Sequence, residues 1–127
     1  MNTQLALAPS AVRTTFDPTD TDNTEDYRSV IIVWDITAIT GNLLQVKING
    51  KDLLSGEYYE IFASDPIAST GTYVFHVGDG TADDDNIAVG TRLPRVWQLS
   101  VTHLNSNPTT YSIGVNLSTG PTRVKTQ

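Results

Sequence analysis

The feature that most constrains this chain is a two-residue alternation of apolar and polar side chains that recurs along most of its length. The clearest case is the segment 111–117, where every second residue is Tyr, Ile, Val or Leu and the residues between are Ser, Gly or Asn. Successive side chains of a β-strand point to opposite faces, whereas a helix would place apolar residues three or four positions apart. The alternation therefore predicts strands with one buried face, and helical spacing is hard to find.

Turn-forming residues separate these segments at intervals of roughly 8 to 15 residues, the pattern expected of a β-sandwich or a small barrel. The break at Thr40-Gly41-Asn42 between two alternating segments predicts a β-hairpin. The segment 78–91 is too rich in Gly and Asp at its start for a strand, so we expect a long loop there. The predicted fold class is all-β: a single β-sandwich, immunoglobulin-like or jelly-roll-like, of about seven or eight mostly antiparallel strands.

A chain of 127 residues has the common size of one domain and is long enough to bury a core without metals or disulfides. We expect the sandwich domain to span 28–118. An N-terminal arm with a possible edge strand, 1–27, precedes it, and a flexible or docking tail, 119–127, follows it. The predicted core consists of large apolar side chains on the alternating faces: Val30, Ile32, Trp34, Val46, Ile48, Ile61, Phe75, Trp97, Leu99, Val101, Ile113, Val115 and Leu117.

Charge and composition exclude several classes of partner. Eight Lys and Arg residues stand against 14 Asp and Glu, for a formal net charge of −6, and a field of that sign repels phosphate backbones. The chain has no cysteine, which excludes thiolate catalysis and Cys-ligated zinc. No apolar run approaches the roughly 20 residues that span a bilayer, and the start of the chain lacks a secretory signal. We expect neither nucleic acid nor membrane as a partner.

The candidate metal ligands are the carboxylates of the predicted loop: Asp79, Asp83, Asp84 and Asp85. Calcium prefers roughly six to eight oxygen ligands, but this spacing fits no EF-hand loop, and neighbouring acids in an irregular loop are usually solvated. The second acidic stretch, 17–26, is a weaker candidate for the same reason. We therefore expect no metal and no cofactor.

The only histidines, His76 and His103, lie on predicted strands beside apolar residues. A single histidine in that setting is more often structural than a general base. The sequence contains no nucleophile elbow, no His-Glu-x-x-His and no phosphate-binding glycine loop. We therefore expect no catalytic residues and no enzyme activity.

Aromatic side chains offer a choice between core, carbohydrate site and protein interface. Trp34 and Trp97 fall on faces crowded with aliphatic residues, which favours the core. Tyr58 and Tyr59 are neighbours on one predicted strand, so one of them must face away from the core. An outward tyrosine suits a protein interface at least as well as a carbohydrate site. The candidate protein-interface residues are Tyr58, Tyr59, Asp83, Asp84, Asp85, Arg123 and Lys125.

Five runs of the sequence resemble a family of small structural proteins of tailed bacteriophages, in the same order and at similar spacing. These runs are 35–41, 46–52, 55–59, 93–97 and 111–115, within a resemblance that covers roughly 30–117. Members of that family are usually interpreted as head decoration, or cement, proteins, and the resemblance brings no catalytic residues with it. The aspartate-rich loop and the acidic N-terminal section depart from the family pattern.

The resemblance implies a bacteriophage capsid decoration protein that binds the outer surface of the head and stabilises contacts between major capsid subunits. Its partners would be the major capsid protein and further copies of itself in a homo-oligomer. It would be synthesised in the host cytoplasm and end on the outside of the virion, where its negative charge avoids the packaged DNA. Two alternatives stay open: another virion component, such as a tail or connector protein, or a carbohydrate-binding module that aids host attachment.

Overall fold

The computed structural model is built from β-strands, and the all-β fold class predicted from the alternation is confirmed. The structure describes residues 2–78, 83 and 87–119. Its strands are β1 (Asn2–Arg13), β2 (Asp20–Asp22), β3 (Ser29–Ile39), β4 (Leu44–Lys51), β5 (Tyr58–Ala63), β6 (Gly71–Gly78), β7 (Ala88–Val89), β8 (Val96–His103) and β9 (Thr109–Ser118). Among the described residues there is no helix with the length and apolar character needed to cross a membrane.

The strands form two sheets with the core between them. The first sheet has the strand order β1, β9, β3, β6, β7, and the second has the order β2, β8, β4, β5. Neighbouring strands are antiparallel, except that β6 and β7 run parallel. Residues 2–13 and 20–22, both within the expected N-terminal arm, contribute one edge strand to each sheet.

The inward faces of the two sheets supply the core. All the predicted core residues except Ile61 are buried. The rings of Phe62 and Phe75, one from each sheet, meet with centroids 5.4 Å apart. Trp34 is completely buried, and its ring meets the edge of the Tyr111 ring at 5.7 Å and 87°. Burial of a large apolar side chain contributes about 1.5–3 kcal/mol, so these inward faces hold the sheets together.

The core prediction for Ile61 was wrong, and Phe62 takes its place. In the pairing of β4 with β5, Ile48 lies opposite Phe62 but Asn49 lies opposite Glu60, which leaves Ile61 as the extra residue of a bulge. A bulge reverses the facing of the residues beyond it, and the alternation of residue types does not reveal where it occurs. Ile61 is partly buried and still packs against the core.

The predicted hairpin at Thr40-Gly41-Asn42 was also wrong, because β3 and β4 belong to different sheets. Gly41 has a φ of 63°, a left-handed conformation that glycine adopts without steric cost, and the chain crosses here from the first sheet to the second. The strong apolar faces of β3 and β4 therefore meet across the core. In a hairpin they would lie side by side in one sheet.

The expectation of an uninterrupted loop over 78–91 was wrong at one point. Ala88 and Val89 form β7, which pairs with His76 and Val77 of β6. The sequence did not indicate this strand, because two residues are too few to show alternation and the segment begins with polar residues.

Asn42 joins two of the connections between the sheets. Its buried amide donates to the carbonyl oxygens of Asn105 at 3.3 Å and Asn107 at 3.0 Å. Its side-chain oxygen accepts the backbone N–H of Leu43 at 2.8 Å and that of Asn105 at 3.3 Å. The β3–β4 connection is thereby tied to the β8–β9 connection at the same end of the sandwich.

We predict that Asn42→Ala lowers the free energy of unfolding by about 2–3 kcal/mol, because it leaves buried backbone groups without partners. Asn49→Ala is the matched control: its half-buried amide makes one contact of 3.4 Å with Ser100, so the loss should stay below about 1 kcal/mol. Urea denaturation of the two variants and the wild type measures the difference. Equal losses in the free energy of unfolding of the two variants would show that Asn42 does not stabilise the fold by linking the two connections.

Candidate functional site

The outer face of the second sheet carries a polar cluster centred on a carboxylate, which we call the Asp20 cluster: Asp20, Lys51, Tyr58 and Gln98. Asp20 accepts hydrogen bonds from the Tyr58 hydroxyl at 2.7 Å and the Gln98 amide at 3.3 Å. Its other carboxylate oxygen lies 3.2 Å from the Lys51 ammonium, and that ammonium also lies 5.5 Å from the centroid of the Tyr58 ring.

Strand register explains why these four side chains meet. Asp20 of β2 lies opposite Gln98 of β8, while Lys51 of β4 lies opposite Tyr58 of β5. All four strands belong to the second sheet. Residues that are directly opposite in antiparallel strands share a face, so the cluster links both edges of the sheet across its outer surface.

Hydrogen bonding within the cluster shifts the ionisation of its members. The Tyr58 hydroxyl, followed by Lys51, holds the pKa of the Asp20 carboxyl below its usual value. The same hydrogen bond raises the pKa of Tyr58, and the contact with Asp20 raises the pKa of Lys51. Each shift keeps its group in the form present at neutral pH, so the cluster is a fixed surface feature with no poised acid or base.

Tyr59 lies on the other side of β5 from Tyr58. It is opposite Gly50, and its ring occupies the space where any side chain at position 50 would lie. Both tyrosines are about half exposed, at 45% and 49%, although only Tyr58 lies on the outer face of the sheet, with Lys51. Because they project from opposite faces of one strand, they do not form a single flat platform.

Of the remaining interface candidates, the structure describes only Asp83. Asp83 is exposed, and its carboxylate accepts the backbone N–H of Gly90 at 2.7 Å. Asp84, Asp85, Arg123 and Lys125 lie outside the described residues, as does Asp79 of the calcium hypothesis. Within the described part of the chain, no three His, Asp or Glu side chains are grouped so that they could hold a metal ion.

The two histidines lie in different sheets. His76 projects from β6 of the first sheet beside Val77, while His103 ends β8 of the second. His103 Nε2 lies 3.0 Å from the Tyr111 hydroxyl, and the Arg13 guanidinium lies 5.1 Å from the centroid of the Tyr111 ring. Burial raises the pKa of Tyr111 to about 12.

A shallow depression of about 330 Å³ lies beside His103. Its lining includes Thr15, Phe16 and Asn105. Phe16 packs against the core from the chain that connects β1 to β2. This is the end of the sandwich where β1 leaves the first sheet. No pattern in the sequence indicates that Arg13 would approach a histidine 90 positions away.

The outer face of the first sheet differs from the rest of the molecule in having almost no charge. Of all the residues in its five strands, only Asp35 and Arg13 carry a formal charge. The three strands β2, β4 and β5 of the smaller second sheet carry Asp20, Asp22, Lys47, Lys51 and Glu60. The other described acids lie in the connections between strands. The strands of the first sheet therefore carry little of the protein's charge, although Asp83 lies in the connection between β6 and β7.

An apolar row crosses this uncharged face at one level: Ala6, Gly114, Val33 and Val74. Ala6 lies opposite Gly114, Gly114 opposite Val33, and Val33 opposite Val74. Val74 is 43% exposed. Since Gly114 has no side chain, a shallow depression of about 320 Å³ lies over it, bordered also by Gln4 and Asn116. Alternation along β3 and β6 places these valines outward, but the sequence did not show that they are adjacent.

Comparisons with known proteins identify no relative of this chain: no family model, no curated protein and no solved structure matches it. Its function must therefore be argued from its own residues and surfaces.

We predict that Tyr58→Phe raises the pKa of Asp20 towards its usual value, because the lost hydroxyl is the main cause of the depression. Tyr59→Phe removes the same hydroxyl from the opposite side of β5 and should leave the pKa of Asp20 unchanged. A carboxyl-detected NMR titration reports Asp20 directly. An unshifted Asp20 in Tyr58→Phe would contradict the cluster geometry.

We predict a loss of stability on mild acidification. Burial, followed by the nearby Arg13 guanidinium, lowers the pKa of His103 below 6.5. The unfolded chain then binds the proton more readily than the folded one, so stability that is present above about pH 6.5 is lost as the pH falls through the folded-state pKa. Urea denaturation between about pH 7 and pH 5 should show this decline, and His103→Gln should flatten it. His76→Gln controls for loss of an imidazole elsewhere, and a decline that persists in His103→Gln would refute the assignment.

Proposed function

We propose that this protein is a structural component that binds other proteins through its sheet surfaces, and that it decorates the outer surface of a tailed-bacteriophage capsid. The observation that carries the proposal is the outer face of the first sheet, whose strands carry only Asp35 and Arg13 as formal charges. The cores of protein–protein interfaces are depleted of charged residues, and a face of this kind on a protein of net charge −6 is suited to contact with another polypeptide.

The outer face of the second sheet indicates how the protein would be oriented on the capsid. The second sheet presents the Asp20 cluster, and it also carries ion pairs that keep its surface hydrated, such as that between Asp22 and Arg95 at 2.7 Å. Exposed ion pairs of this kind contribute little to stability but keep a surface soluble and discourage association. A decoration protein would place the first sheet against the shell and the second sheet outward.

The resemblance of the five sequence runs to head decoration proteins supports the capsid as the location. The repetition of identical sites on a capsid also supports this location. Each copy needs only a modest interface with the shell, because contacts with neighbouring copies raise its effective concentration at the next site. The major capsid protein is the proposed partner. The contacts that decoration stabilises are those between its subunits.

Carbohydrate binding is the weaker alternative. Trp34 and Trp97 are buried to 1% exposure or less, so neither can stack on a sugar. The two exposed tyrosines of β5 face opposite sides, and Tyr58 is held by Asp20 at 2.7 Å. A glycan array with Tyr59→Ala as the test variant would support this alternative if it revealed a Tyr59-dependent ligand.

The proposal predicts that purified protein rebinds to capsids stripped of it and raises their resistance to heat. Val74→Asp, which places a charge in the apolar row, should weaken rebinding at least about tenfold, equivalent to about 1.4 kcal/mol. Leu54→Asp is the control, because Leu54 is 95% exposed in the β4–β5 connection and lies away from this face. Particle-bound protein is quantified after sedimentation of the capsids.

Four results would contradict the proposal. The proposal would fail if the wild-type protein did not rebind to stripped capsids. It would also fail if Leu54→Asp lost binding while Val74→Asp bound normally, because the contact surface would then not be the first sheet. A copy number equal to one ring per particle, measured by quantitative mass spectrometry, would identify a connector or tail component. Unchanged heat resistance after stripping would exclude a cement role.

A further inference from the structure

The first sheet ends in an edge strand that is open to another strand. β1 pairs with β9 on one side and is the outermost strand of the sheet. Among the described residues, no backbone–backbone hydrogen bond outside the strand ladders involves residues 2–13, and the one carbonyl of this strand bonded to a side chain is that of Pro9, which accepts from Arg13. Every second N–H and C=O of β1 is therefore directed away from the protein, which makes this edge a template for strand addition.

Only the second half of β1 carries features that protect an edge. Pro9 has no N–H, Arg13 is charged, and the pairing of β1 with β9 is irregular between Ala6 and Ala8 and between Ala8 and Ala11. Proline, charge and bulges are the devices by which proteins block edge pairing. The segment 2–7 has no proline and no charged side chain, and it pairs regularly with β9 from Asn2 to Ala6, up to the irregularity at Leu7.

The other sheet edges are poorer templates. β2 has three residues, two of them aspartates, and β7 has two residues. β5 follows directly after Glu57 and carries Glu60. The segment 2–7 is thus the longest uncharged edge among the described strands.

We propose that residues 2–7 of β1 pair with the same segment of a second copy of this chain, in antiparallel register, so that the first sheets of two copies form one continuous sheet. Charge selects the occupant. Two copies that each carry −6 repel each other wherever acids face acids, and the strands of the first sheet, in which Asp35 is the only acid, are where that repulsion is smallest. The inference does not depend on the capsid proposal.

Symmetry restricts the pairing to few registers. A two-fold axis normal to the sheet keeps outer faces on the same side, so the residue at the axis lies opposite its own copy. If the two-fold axis passes at Gln4, Leu5 lies opposite Thr3 of the second copy. If it passes at Leu5, the two leucines lie opposite each other. In both registers the partner covers Leu5, which is 38% exposed at this edge.

The pairing also extends the apolar row. Ala6, the last member of the row, lies on the outer side of β1 next to the two-fold axis, so the rows of the two copies meet there. The depression over Gly114 is bordered by Gln4 and Ala6, and it would lie close to the outward side chains of the partner. The contact is smaller than the standard interface of about 800 Å² per partner, so we expect a dissociation constant on the order of 10–100 μM.

Sedimentation equilibrium of the full chain tests the dimer. The expected mass rises with concentration from 13.8 kDa towards twice that value. The double variant Gln4→Lys with Ala6→Lys adds like charges on either side of the axis and should raise the dissociation constant at least about tenfold. Val12→Lys is the control, since Val12 lies on the same strand beyond Pro9 and is 66% exposed, and it should dimerise as the wild type does.

Cysteine cross-linking identifies the register and keeps the test independent of the charge variants. The chain has no cysteine, so Gln4→Cys and Leu5→Cys each introduce a single thiol. Under mild oxidation, the variant whose residue lies at the axis should form a covalent dimer faster than Val12→Cys. A wild type that stays monomeric at about 500 μM, several times the expected dissociation constant, would overturn the proposal. So would association that the double lysine variant does not weaken, or cross-linking no faster than that of Val12→Cys. Failure to rebind capsids, by contrast, would leave the dimer intact and refute only the capsid role.

Discussion

Burial of one face of each sheet against the other is the constraint on which the rest of this structure depends. The inward side chains of β3 and β9 in the first sheet can leave water only by packing against those of β4 and β8 in the second. The chain must therefore cross between the sheets at the β3–β4 and β8–β9 connections, and the Asn42 amide bonds these two crossings to each other. Because the inward faces are buried against each other, only the outward faces and the sheet edges remain accessible to partners.

The outward faces of the two sheets differ in charge and in hydrogen bonding. The second sheet holds its charges in local pairs and in the Asp20 cluster, so most of its polar groups are already satisfied within the protein. The first sheet has little charge and presents small apolar side chains at one level across four strands. A partner that docks on the first sheet displaces water from apolar surface and breaks few hydrogen bonds, whereas docking on the second would require desolvation of paired charges. The difference favours protein contact through the first sheet.

The sequence was sufficient for what depends on residue type alone. Alternation predicted the all-β class and more than half of the buried core, because most inward residues are apolar whatever strand they pair with. It failed where the outcome depends on a partner strand. The bulge at Ile61 is defined by the register with β4, and the crossing at Gly41 is defined by which neighbours β3 finds. The Asp20 cluster and the apolar row were not predicted for the same reason, since their members are far apart in sequence and are brought together by strand order.

One consequence of the strand order concerns synthesis of the chain. β9 lies between β1 and β3, so Thr3 finds its opposite residue, Leu117, only after more than a hundred further residues have been made. Until the last strand has left the ribosome, β1 lacks its neighbour and one side of β3 is unpaired. Such long-range pairing slows folding and exposes strand edges in the nascent chain. The first sheet can thus be completed only after β9 has left the ribosome, and until then nascent copies on one messenger expose the same unpaired strand edges to one another.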